Sequence, residues 1–309
     1  MAEKERDIRT NIAGWIGLSR PPFHTVGILP FLLGTVLAWR LDRIFNVSTF
    51  VLGVLGVALV MLSTYHAGEY MSDGEDQRSK RLFRRRFVGG AGVIPDRMLP
   101  RPAALWTGLI TITLAVIIGL ILQFGLRTGP LTLLLGCIGA LPGVLYSTRL
   151  IRLAEEGWGE LFIGFCYSWV PIAAAFYLQR GYIAPCIHWM ALPIGLSIFN
   201  VILLNEFLDP PAGTPIGRTN LLARLGKAKG MALYVLVSIL SWSGMYTSLS
   251  AGIPRKAFYL YLPVMALSAW ISLMMARKKY EHSLFLELLC GLNIAVNLGT
   301  TVAYMLAFL

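Results

Sequence analysis

The sequence predicts an all-α, polytopic membrane protein of about nine transmembrane helices around a central cavity. Three observations carry that prediction. The apolar residues fall in long uninterrupted runs, charged residues make up only 14% of the 309, and the basic residues divide unequally between alternate connections. Runs of about 18 or more apolar residues are long enough to cross a bilayer. Inside hydrocarbon the backbone must satisfy its own hydrogen bonds, which leaves helices or closed barrels. The short alternating segments of a barrel are absent, so the runs are helices.

The spans fall at 23–41, 48–66, 103–123, 130–147, 158–178, 187–207, 231–250, 257–276 and 284–308. They form a single transmembrane domain over 1–309, with a terminal segment at 1–22 and charged connections at 67–102 and 208–230. The first twenty residues are charged and mildly amphipathic, with no apolar core preceding a small-residue cleavage site. They read as a segment lying on the membrane surface rather than a leader. With the N-terminus inside, segments 1–22, 67–102, 148–157, 208–230 and 277–283 hold 21 of the 27 Lys and Arg. Only Arg40, Arg43, Arg127, Arg180, Arg255 and Lys256 lie on the other side. The positive-inside rule therefore puts the N-terminus and the long connections in the cytoplasm. The net charge of +11 is mostly topology, and no nucleic-acid partner is expected.

Pro142, Pro171 and Pro193 fall inside spans and predict kinks, and the Gly-rich fourth span predicts close helix packing. Cys137, Cys166, Cys186 and Cys290 form no paired motif and read as packing residues. A phosphate-binding loop of the ATPase type and a nucleophile elbow are both missing, which argues against an ATP-driven transporter or a hydrolase.

Polar chemistry gathers at the ends of the second and sixth spans. The second runs into His66-Ala-Gly-Glu69-Tyr-Met-Ser-Asp73-Gly-Glu75-Asp76, and the sixth into Asn205-Glu206-Phe-Leu-Asp209. Each is followed by a basic, Gly-containing stretch, and the spacing of four spans returns both to one membrane face. That pattern suggests a parallel internal repeat with a site between the halves. Glu69, Asp73 and Asp76 stand at helical spacing on one face. Like-charged carboxylates that close repel one another unless a cation joins them, and a hard divalent ion such as Mg2+ suits their oxygens. Asn205 and Asp209, four apart, are placed to supply the facing half. The alternative is a set of solvated acids balanced by nearby arginines. Arg81, Arg152 and Arg218 lie where they could grip a diphosphate, although the positive-inside rule also explains basic residues there.

Four stretches resemble one family. SRPPFHTVGILPFLLGTVLA, FVGGAGVIPDRMLPRPAAL, GWGELFIGFCYSWVPIAAAFYLQRG and NEFLD…GRTNLLARLG are together similar to the UbiA superfamily of intramembrane prenyltransferases. The nearest branch is the one that prenylates dihydroxynaphthoate on the way to menaquinone. The resemblance implies two acidic motifs that hold Mg2+, an isoprenoid diphosphate donor, an aromatic or other lipid-soluble acceptor, and membrane lipid as surroundings. By the same resemblance Asp76, Asp209 and Tyr146 are the catalytic candidates. Glu69, Asp73, Asp76 and Asp209 are the metal candidates, and Arg20, Arg81, Arg152, Asn205 and Arg218 the substrate-binding ones.

The sequence departs from the family pattern at Gly68, Ser72 and Gly213, where ligand residues are usual, and at Glu156, where an arginine is usual. Glu69 and Asp73 keep an acid spacing displaced by three residues along the same helix. Two further expectations stand beside the enzyme. One is a catalytically diverged member that binds lipid or quinone, or that serves as a subunit of a membrane complex. The other is a transporter of an amphiphile.

Overall fold

The computed structural model describes residues 2–82, 93, 94, 96–147, 159–209 and 220–309, with side chains outside 2–9, 72–82 and 142–147. Its helices are α1 Ala2–Ser19, α2 Pro21–Asp42, α3 Val47–Leu82, α4 Arg101–Leu120, α5 Leu131–Ser147, α6 Gly159–Cys166, α7 Trp169–Arg180, α8 Cys186–Glu206, α9 Leu221–Leu225, α10 Lys227–Ser248, α11 Lys256–Ala276 and α12 Ser283–Phe308. No strand occurs among the described residues. Among the described residues eight stretches are long and apolar enough to span a membrane, and the shorter apolar run Leu131–Leu141 in α5 stands at the fourth expected span. The chain is an integral, multi-pass membrane protein.

The breaks between helices have local causes. α1 stops at Ser19 because Arg20 precedes Pro21, and the residue before a proline is pushed out of the helical region. Arg20 instead adopts a left-handed conformation with φ 46°, which is uncommon for a residue with a side chain. The fifth span is interrupted between Cys166 and Trp169. Pro171 has no amide hydrogen to offer the Tyr167 carbonyl and its ring crowds that oxygen. The kink expected from Pro171 is therefore a full break into α6 and α7. α3, by contrast, continues as helix through Leu82, well past the boundary that hydropathy sets at 66.

Close approach replaces hydrophobic drive in holding the spans together. A side chain at Gly34 of α2 would run into the Ile172 carbonyl oxygen of α7. A Cβ at Gly164 of α6 would stand 3.0 Å from the Gly195 carbonyl oxygen of α8. The Gly-rich α5 does not follow the same pattern throughout, since a Cβ at Gly136 would meet nothing within 4 Å. The second half of the bundle adds buried hydrogen bonds. Asn200 donates to the Tyr234 carbonyl at 3.1 Å and to Ser238 Oγ at 2.9 Å, Tyr234 Oη donates to Asn293 Oδ1 at 3.0 Å, and Asn297 donates to Ser197 Oγ at 2.8 Å. α8, α10 and α12 are thereby cross-linked through their interior. On α4 only Ala104 and Gly108 are buried, and Trp106, Leu109, Ile110 and Leu114 face outward, as lipid contact requires.

The two ends of the bundle differ. At one end Arg180 Nε and Tyr182 Oη both donate to Asp42 Oδ2, at 2.5 and 2.9 Å. Gln179 closes a second tie, accepting from the Asn46 amide at 2.7 Å and donating to the Asn46 carbonyl at 3.1 Å. The Gln-Arg-Gly segment at 179–181 is thus a knot joining α2, α3 and α7. The opposite end, the motif end, carries Arg20, the acidic half of α3, the start of α6 and residues 205–209 and 220–225.

The Gly34 contact gives a direct check. Gly34→Ala is expected to destabilise by about 1–3 kcal/mol through overpacking, lowering the thermal midpoint of the purified protein. Gly136→Ala, with open space around it, is expected to be neutral or slightly stabilising.

Candidate functional site

Two polar groups face the motif end, one on α2 and α3 and the other on α6 and α8. In the first, Glu69 is 2% exposed. Its Oε1 accepts from the Val93 amide at 3.0 Å, and its Oε2 accepts from Arg20 Nη2 at 3.5 Å. The turn at Arg20 aims the guanidinium inward from the start of α2. One turn deeper along the antiparallel pair stand His24 and His66. His24 Nε2 bonds the Ser19 carbonyl at 3.0 Å, and its ring meets Tyr65 edge-on at 5.4 Å. α4 is clamped to the same region by Arg101, whose Nε donates to the Tyr70 carbonyl at 3.2 Å while the guanidinium lies 4.5 Å over the Tyr70 ring.

The second group is built at the end of α8. Glu206 Oε2 accepts from the Leu222 amide at 2.9 Å, and the carboxyl group of Glu160 at the start of α6 lies near it. After Glu206 the chain tightens. The amides of Phe207, Leu208 and Asp209 bond carbonyls three residues back, which brings Asp209 round toward Glu206 rather than in line with Asn205. Asp209 Oδ2 accepts from Asn220 Nδ2 at 2.9 Å, while Asn220 Oδ1 accepts from the Ala223 amide at 2.9 Å and caps α9. Asn205 Oδ1 is buried and has no hydrogen-bond partner among the described residues. The two groups are linked just beyond the end of α6, where Tyr167 Oη lies 3.5 Å from Tyr65 Oη.

The UbiA prenyltransferase family model matches residues 27–295, which takes in both groups apart from Arg20 and His24. The chain belongs to the UbiA prenyltransferase family. It is 24% identical over 216 residues to a 1,4-dihydroxy-2-naphthoate octaprenyltransferase of Bacillus subtilis, covering 70% of this chain and 67% of that protein. A UbiA homolog from Aeropyrum pernix superposes with TM-score 0.70 at 14% identity, covering 93% of this chain and 98% of the other. A UbiA homolog from Archaeoglobus fulgidus bound to GPP and Mg2+ superposes at 0.63, also at 14% identity, covering 94% and 99%. At that identity the structural likeness establishes the UbiA fold.

Within this UbiA fold the residues expected from sequence divide into three sets. Arg20 and Glu69 meet each other, and Asn205 and Asp209 both stand at the end of α8, with Asp209 turned out of line with Asn205 by the tightened turn. Asp73, Asp76 and Arg81 on α3 and Tyr146 on α5 have side chains outside the described residues. Arg152 and Arg218 lie outside the described residues altogether. Among the described residues no group of three or more His, Cys, Asp or Glu gathers as a metal site. The fit to a hard divalent ion rests instead on oxygen chemistry at α8. The orphaned Asn205 Oδ1 and the Asp209 carboxylate, both at the end of α8, are oxygens of the kind such an ion takes.

Sequence reasoning missed Glu160, Glu206, Tyr65, Tyr167 and Asn220. A signal existed for the first two, because an acid inside an apolar span is costly and therefore partnered. The tyrosine contact had no sequence signal, since it joins residues 102 positions apart.

Two substitutions separate scaffold from site. In chelator, Glu69→Ala is expected to cost about 1–3 kcal/mol by stranding the Val93 amide, seen as a lower thermal midpoint. Asn205→Leu is expected to leave that midpoint unchanged or raise it, because it removes a buried acceptor that has no donor.

Proposed function

We propose that the protein transfers a prenyl group from an isoprenoid diphosphate to an aromatic or other lipid-soluble acceptor in a Mg2+-dependent reaction of the quinone-biosynthesis kind. The observation that carries this reading is the buried, unpartnered Asn205 Oδ1 at the end of α8, where Asp209 follows, in a chain whose family match takes in Glu69, Glu160, Asn205 and Asp209. An acceptor oxygen without a donor in that setting is costly, and a cation relieves the cost. The GPP and Mg2+ bound to the Archaeoglobus fulgidus homolog support the same assignment.

The roles are assigned as follows. Asn205 and Asp209 on one side, with Asp76 and the displaced pair Glu69 and Asp73 on the other, would hold the ion. Bound there, Mg2+ neutralises charge on the departing diphosphate. Arg20 supplies a fixed positive charge from α2, and Arg81, Arg152 and Arg218 extend the grip on phosphate oxygens. Tyr146 is assigned to the reacting centre. The acidic and basic groups face the cytoplasm in this reading, which keeps a charged donor out of the hydrocarbon. Asn220 is a positioning residue, because one side chain holds Asp209 and caps α9 together.

A second reading keeps the fold and drops the chemistry. Glu69 and Glu206 spend carboxylate oxygens on the Val93 and Leu222 amides, and Gly68 stands where the family places a ligand. Those facts favour a diverged member that binds lipid or quinone, or that joins a membrane complex.

Titration of the purified protein with a non-hydrolysable prenyl diphosphate analogue decides between them. The expected result is binding that requires Mg2+ and that weakens by about tenfold or more in Asn205→Leu and Asp209→Ala. Binding that is absent, or indifferent to Mg2+, overturns the transferase reading in favour of the second.

A further inference from the structure

His66 is the polar group that the donor site leaves unexplained. It is 4% exposed, and neither Nδ1 nor Nε2 has a hydrogen-bond partner among the described residues. A buried imidazole ordinarily satisfies at least one nitrogen, because leaving both unpaired forfeits hydrogen bonds it would make in water. The neighbours do not supply what is missing. α4 meets this turn of α3 at Gly108, where a Cβ would lie 3.4 Å from the His66 Cβ. His24 is near enough to act on His66 electrostatically, but its Nε2 is already committed to the Ser19 carbonyl.

The surroundings describe the missing partner. A neutral imidazole offers one donor and one acceptor, so its complement is a group that does both, which is a hydroxyl. His66 lies one turn, about 5 Å, inside the Arg20–Glu69 pair. That is the level where a donor's reacting carbon would sit if its diphosphate were held at the motif end. The adjacent rings of Tyr65 and Tyr167, with hydroxyls 3.5 Å apart, and of His24, edge-on to Tyr65 at 5.4 Å, are the flat surfaces an aromatic ring packs against.

Resting on the prenyltransferase reading, we propose that His66 binds the ring hydroxyl of a hydroxylated aromatic acceptor and fixes which carbon of that ring faces the donor. His66 is an acceptor-binding residue in this scheme. It forms and breaks no covalent bond.

The test uses the full chain in lipid nanodiscs with nitrogen-labelled histidine, following the His66 ring signals identified by their loss in His66→Gln. Naphthol is expected to shift them saturably, whereas naphthalene, of like shape without the hydroxyl, leaves them in place. His66→Phe should weaken naphthol binding by about tenfold, the worth of one buried hydrogen bond, and His66→Gln should recover part of it. Both variants should keep wild-type binding of the prenyl diphosphate analogue within about twofold. Equal shifts with naphthol and naphthalene, no shift with either, or unchanged naphthol affinity in His66→Phe overturns the proposal. Failure of the wild type to bind the diphosphate analogue overturns the transferase reading separately, because the His66 signals are read on the phenol alone.

Discussion

The approach of α6 to α8 at Gly164 and Gly195 is the constraint on which the arrangement of the motif end depends. With a Cβ at Gly164 only 3.0 Å from a backbone oxygen, the two helices meet almost backbone to backbone. Ser168 Oγ bonds the Gly164 carbonyl at 2.7 Å and fills the last space beside Gly195. α6 then reaches two neighbours at once. Its first turn sets Glu160 near Glu206, and Tyr167, the residue that follows its last turn, meets Tyr65 on α3. Widening that crossing by one methyl group would separate the carboxyl pair and the tyrosine pair together, because Glu160 stands in the first turn of this eight-residue helix and Tyr167 directly follows its end.

Structural use of the acidic residues follows from the same geometry. Glu69 stands within α3 and Glu206 is the last residue of α8, and each accepts a backbone amide from chain that follows, Val93 and Leu222 respectively. A carboxylate that accepts a backbone N–H makes one of the stronger hydrogen bonds available to a protein. The long charged connections are therefore pinned at points just outside the spans. Asn205 Oδ1 is left without a hydrogen-bond partner among the described residues, and Asp209 is held by Asn220.

Much of the fold was legible because a bilayer imposes length and polarity on each segment. The apolar runs gave the spans to within a few residues, and Pro171 marked the break in the fifth. Hydropathy misplaced the end of α3, since a charged helix continuing into water carries no apolar signal. At the site, the ends of the second and sixth spans announced themselves through acids at helical spacing. Which acids serve the scaffold was hidden, because Glu69 and Glu206 are fixed by amides 24 and 16 residues away. The tightened turn after Glu206 likewise redirected Asp209, and a spacing of four is informative only while the helix stays regular. His66 carries no sequence signal beyond its place one turn before Glu69, and its want of a hydrogen-bond partner among the described residues singles it out.

The knot formed by Asp42, Asn46, Gln179 and Arg180 has a mechanical consequence. It fixes α2, α3 and α7 to one another at one end, so that any relative movement of these helices is a splaying about that point. Arg20 lies 22 residues from Asp42 along α2, a lever of about 33 Å at the helical rise. A small change of tilt at the knot is therefore largest at the motif end. Bilayers of different thickness impose different tilts on spans of fixed length. The spacing between Arg20 and the acids across from it is in this way coupled to the thickness of the surrounding lipid, and the membrane acts as a gauge on the site.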